Sequence, residues 1–110
     1  SDSPDPFSHH TGQTTTIQFR VSDNLSAPCT IRVNIFSPPS LGGGLVRTLT
    51  KTVSCPPGGA TGFIVWDGRD NSGSLVSGSP FLLRTYTYQV QGRDNAQNVS
   101  NMMSGSVGVR

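Results

Sequence analysis

The chain has 110 residues, 33% of them hydrophobic and only 13% charged, with eight basic and six acidic side chains for a formal net charge of +2. One hydrophobic core fits this length and two do not. The scattered charge excludes a nucleic-acid footprint, and no apolar stretch nears the roughly 18 residues of a membrane-spanning helix.

Thirteen glycines, eight prolines, a single lysine and no glutamate leave no window with the apolar stripe of an amphipathic helix. They suit short strands joined by tight turns instead. Residues 1–14 read as a polar lead with Pro4 and Pro6, docking through one apolar anchor, Phe7. The adjacent His9 and His10 in this lead have no anchored acid or nucleophile beside them, and an extended chain points them in opposite directions. Residues 15–110 form the domain. Thr15 to Ser22 alternates, with Ile17, Phe19 and Val21 on one face and Thr16, Gln18 and Arg20 on the other, the pattern of a half-buried antiparallel strand. After a turn at 23–28, Cys29, Ile31, Val33 and Ile35 alternate with Thr30, Arg32 and Asn34. The Pro38 to Gly44 segment interrupts the ladder as a flexible hairpin loop, and Leu45 to Ser54 returns as the third strand.

A second Pro/Gly loop precedes Phe63-Ile64-Val65-Trp66, the fourth strand. It stops where Asp67-Gly68-Arg69-Asp70-Asn71-Ser72-Gly73 supplies turn residues with local hydrogen-bonding side chains and positive-φ glycines. Leu75 and Val76 form a short strand or staple. Leu83 to Gln91 sets Tyr86, Tyr88 and Val90 against Thr85, Thr87 and Gln89, and Ser104 to Val109 is a weaker last strand. The strings Gly68-Arg69-Asp70-Asn71 and Gly92-Arg93-Asp94-Asn95 read as two strand-ending turns of the same chemistry. The fold class is an all-β, immunoglobulin-like or fibronectin-III-like antiparallel sandwich of about seven strands.

Cys29 and Cys55 are too few for a zinc site and do not form a Cys-x-x-Cys pair. An antiparallel hairpin of 30–36 with 46–54 sets them opposite each other, within bridging distance. A disulfide then implies an oxidising compartment; the alternative is two buried free thiols.

These features in order resemble the immunoglobulin-like domain of the flagellar hook-capping protein, a family also found as modules of secreted bacterial proteins. Pro4-Asp5-Pro6-Phe7 with the Thr15 to Phe19 strand is similar to its entry. Ile31 to Phe36 with Val46-Arg47-Thr48-Leu49 is similar to its central hairpin. Trp66, Asp67, Gly68, Asp70 and Gly73 match its most specific motif, and Tyr86 to Val90 its Tyr-rich strand. The resemblance implies a non-catalytic extracellular or cell-surface module, acting as spacer, assembly or secretion-associated domain, with no cofactor. Ser79 to Arg84 departs from the family as an insertion, and its apolar residues Phe81, Leu82 and Leu83 either cap the bottom of the core or, the favoured reading, contact a neighbouring domain or subunit.

Asp67, Asp70, Asn71 and Asp94, Asn95, Asn98 are oxygen ligands in turns, but neither run has the ligand spacing or bidentate acid of a calcium loop, and turn capping accounts for them. Trp66, Phe81 and Tyr86 are candidate sugar platforms for an alternative carbohydrate- or ligand-binding role, although a strand-terminal Trp belongs more naturally in a core. No acid/base pair, nucleophile elbow or metal constellation supports an enzyme.

Overall fold

The computed structural model describes residues 2–3, 6–7, 12–21, 29–53, 60–77, 83–94 and 102–109. Among the described residues seven strands run, β1 (Asp2–Ser3), β2 (Thr15–Val21), β3 (Cys29–Phe36), β4 (Leu45–Val53), β5 (Ala60–Trp66), β6 (Arg84–Asp94) and β7 (Met103–Val109). They form a three-stranded sheet in the order β1-β2-β5 and a four-stranded sheet in the order β4-β3-β6-β7, with every pairing of strands antiparallel. This is the small β-sandwich expected from the strand alternation.

The core is what that alternation predicts. Ile17 and Phe19 of β2, Ile31, Val33 and Ile35 of β3, Tyr86, Tyr88 and Val90 of β6, and Val107 and Val109 of β7 are buried with Trp66 between the sheets. A β-branched or aromatic side chain at every second residue gives β3 and β6 one water-free face each, and burying it contributes about 1.5–3 kcal/mol per large side chain.

Phe7 is the anchor of the lead, 1% exposed. Its N–H donates to the Gly108 carbonyl (2.9 Å), and it forms a parallel bridge with Val109. Before it, Asp2 and Ser3 pair with Ile17 and Thr16 of the other sheet. The lead thus crosses from one sheet to the other, and its two-residue strand carries no propensity signal that composition could reveal.

Three local expectations are corrected. The hairpin register sets Val53, not Cys55, opposite Cys29. A two-residue difference keeps every side chain on its expected face, and its cause is the connection. Ser37 N–H donates to Gly44 O (2.8 Å), the ladder slips between Ile35 and Phe36, and Pro39–Leu41 forms a 3-10 turn. That connection is hydrogen-bonded, not an open flexible loop. Second, β5 begins at Ala60, three residues before Phe63, because the ring of Phe19 covers its ladder partner Gly62. A Cβ there would stand 2.8 Å from Phe19 Cζ. Third, Gly92-Arg93-Asp94 is strand, paired with Ile31, Thr30 and Cys29, whereas Gly68-Arg69-Asp70 is a turn. Identical residues take opposite structures because β3 offers the second copy a ladder to join.

Candidate functional site

Trp66 ends β5 facing inward, fully buried, with Phe7 and Tyr86 rings set edge-on at 5.5 and 5.6 Å between centroids. The indole N–H donates to Arg69 O (3.0 Å), so the one polar atom of the anchor is spent on the turn that follows it. Gly68, buried with φ 76°, turns the chain there. Asp67 Oδ1 accepts from Arg69 N–H (3.1 Å), and Asp70 Oδ1 accepts from the N–H groups of Ser72 (2.9 Å) and Ser74 (3.1 Å). These are Asx-type caps. Val76 N–H donates to Gly68 O (2.9 Å) and the Val76 side chain is buried, so residues 75 and 76 act as the expected staple.

The turn also docks on β4, which composition did not signal. Asn71 N–H donates to Val46 O (2.9 Å), while Asn71 Oδ1 accepts from Thr48 N–H (3.1 Å). One asparagine therefore stands in for a neighbouring strand along the open edge of β4. Arg47 Nη1 donates to Asp70 O (3.0 Å) and lies 4.0 Å from Asp67 Oδ1. Further along, Lys51 Nζ donates to Phe63 O on β5 (2.8 Å) and sits 4.4 Å from the Phe63 ring centroid. Inward-set basic residues that cover exposed edge carbonyls are a known means of blunting sheet edges. Arg47 lies in the hairpin similar to the family pattern, but neither its reach nor that of Lys51 can be read without knowing which strands face each other.

Tyr86 is 1% exposed, and its hydroxyl donates to Ser77 O (2.9 Å). Burial raises its pKa above the ordinary tyrosine value, against the opposing pulls of the Ser77 hydrogen bond and the Arg84 charge. Trp66 is core, as its strand-terminal place leads one to expect, and of the platforms named for the alternative ligand-binding role Tyr86 is core as well: the period of two that buries Tyr88 and Val90 buries Tyr86 with them. The third platform candidate, Phe81, lies outside the described residues, as does Leu82. Leu83 is 48% exposed, with its Cδ1 only 2.9 Å from where a Cβ on Gly108 would stand, so it lies over β7. Asp94, the other candidate cation ligand, is an inward residue of β6, 3% exposed; Asn95 and Asn98 are outside the described residues. No three His, Cys, Asp or Glu side chains gather among the described residues. Cys29 is 2% exposed, and Cys55 lies outside the described residues.

The outward face of the four-stranded sheet carries a depression of about 340 Å³, lined by Thr30, Arg32 and Asn34 of β3, by Gln89, Gln91, Gly92, Arg93 and Asp94 of β6, and by Met102. The register sets Thr30 across from Arg93, Arg32 from Gln91 and Asn34 from Gln89. Alternation alone puts Arg32 on a polar face, but only the β3–β6 register brings it beside Arg93, a residue of the string expected to be a turn. No protein-family model, curated protein or solved structure matches the chain.

Proposed function

We propose that the chain is a non-catalytic β-sandwich module of a bacterial secreted or surface protein, serving as a spacer, assembly or secretion-associated domain. The observation that carries this reading is the use made of the Trp66–Gly73 turn. Its aromatic ring, its indole N–H and the Asp67, Asp70 and Asn71 oxygens all act on the fold itself, capping the turn and stitching β5 to β4. Residues spent in this way build a rigid body and perform no chemistry on a ligand. Phe81, Leu82 and Leu83 are the stretch proposed to meet a neighbouring domain or subunit, an assignment supported by the exposure of Leu83. An exchange experiment tests the spacer role. An unrelated β-sandwich of matching end-to-end length, placed in the parent protein, should restore the secretion and assembly that in-frame deletion abolishes. Rescue by the native sequence alone would overturn it.

The extracellular location rests on a proposed Cys29–Cys55 bridge, supported by the burial of Cys29 and by the proximity of Val53, two residues before Cys55, in the ladder. Intact mass should rise by two hydrogens on reduction. Equal masses before and after reduction, with both thiols alkylated under non-reducing conditions, would remove both the bridge and the argument for export.

A further inference from the structure

We propose that the outer face of the four-stranded sheet is a binding site for an acidic polysaccharide, with Arg32 and Arg93 holding its carboxylate or sulfate groups. This goes beyond the spacer reading, and it uses residues that the sandwich does not need for its core.

Three observations carry it. The first is charge. The outward positions of β3 and β6 hold Thr30, Arg32, Asn34, Thr85, Thr87, Gln89, Gln91 and Arg93, with two guanidinium groups; the carboxylate that also lines the depression, Asp94, belongs to the inward set of β6 and is 3% exposed. Arg32 and Arg93 are diagonal neighbours across the ladder, Arg93 lying two residues beyond the partner of Arg32, so their Cβ atoms are about 7 Å apart. That spacing lets two forks approach one anionic group or two adjacent ones, and a guanidinium matches planar carboxylate or sulfate oxygens with paired donors.

The second is the chemistry between the cations. Asn34, Gln89, Gln91 and Thr30 alternate donors and acceptors on a pleated floor, which suits hydroxyl groups that both give and receive hydrogen bonds. A bare polyanion needs only positive charge, whereas a hydroxylated chain with periodic acids uses both kinds of group. The third is shape. The face is concave, with a volume at the small end of ligand sites, and Met102, 52% exposed, provides an apolar rim for the C–H face of a sugar ring. Two strands hold the backbone positions of these side chains at fixed spacing, so binding has to order rotamers but no loop.

The test uses the whole chain with oligogalacturonate as the carboxylated probe, heparin-derived oligosaccharide as the sulfated one, and a neutral oligosaccharide and polyphosphate for comparison. The expected result is binding to one or both acidic glycans, weakened by added salt, with amide shifts centred on Arg32, Gln89, Gln91 and Arg93. The double variant Arg32→Gln/Arg93→Gln should lose about tenfold or more in affinity, as loss of two charge-assisted contacts implies. Its melting temperature should be unchanged, because both side chains are exposed. Arg20→Gln, on the opposite sheet, should change affinity by less than about twofold. Preference for galacturonate or heparin fragments decides between carboxylate and sulfate as the source. Absence of binding to both, equal affinity for the neutral oligosaccharide or for polyphosphate, or an equal loss in Arg20→Gln would each overturn the proposal. None of these outcomes bears on the exchange experiment, so the two readings fail separately.

Discussion

Trp66→Ala should remove about 3–5 kcal/mol of stability, as truncation of a large core aromatic does. The indole is fully buried between the sheets, and both of its edge-on neighbours, Phe7 and Tyr86, would face the cavity. A domain of this size has about 5–15 kcal/mol in total, so the variant should unfold at far lower denaturant concentration or fail to fold at ordinary temperature. Circular dichroism is the appropriate probe, because the substitution deletes the only tryptophan. Trp66→Phe keeps a ring against Phe7 and Tyr86 but loses the donor to Arg69 O, and should cost less than half as much. A loss below about 1 kcal/mol in Trp66→Ala, or red-shifted and readily quenched emission from native Trp66, would contradict its place as the anchor.

Gly105→Val should be the next most damaging change, at about 1–3 kcal/mol or more, although valine is the better strand former. Gly105 of β7 pairs with Tyr88 of β6, and the phenol ring lies across it. A Cβ at Gly105 would stand 2.6 Å from Tyr88 Cζ and close to the hydroxyl. Tyr88 is 1% exposed, so the ring cannot swing aside into solvent and must displace packed neighbours. A double-mutant cycle separates this clash from any loss in the strand itself. With Tyr88→Val as background, Gly105→Val should cost little, giving a coupling energy of about 1–3 kcal/mol. Equal cost in both backgrounds would show that the ring is not the obstacle.

The parts of this fold legible in the sequence are those where one residue decides a local question. Alternation in Thr15 to Val21 and Cys29 to Ile35 gave the strands and their buried faces, and Trp66 followed by Asp-Gly marked both the end of β5 and a core anchor. What stayed hidden depends on which strands become neighbours. Gly68-Arg69-Asp70 and Gly92-Arg93-Asp94 are the same three residues, one a turn and the other a strand, and nothing local separates them. The β3–β4 register differs by two residues because the hydrogen-bonded 3-10 turn closes the connection sooner than an open loop does, so that Ile35 already meets Arg47. The Arg32–Arg93 pair was invisible for a related reason: its two members lie 61 positions apart and meet only through the β3–β6 register.

The lead segment joins the two sheets in a way that bears on mechanical load. Phe7 runs parallel to Val109, with its N–H bonded to Gly108 O. If the chain is pulled from its two ends, Phe7 is drawn backward and Val109 forward along neighbouring parallel paths. The bond between them is then loaded sideways rather than peeled open, and sliding also has to drag the Phe7 ring out from against Trp66. The contact that closes the sandwich at one corner is therefore also its clasp under tension, and the aromatic pair behind it sets how far the clasp yields before the sheets part.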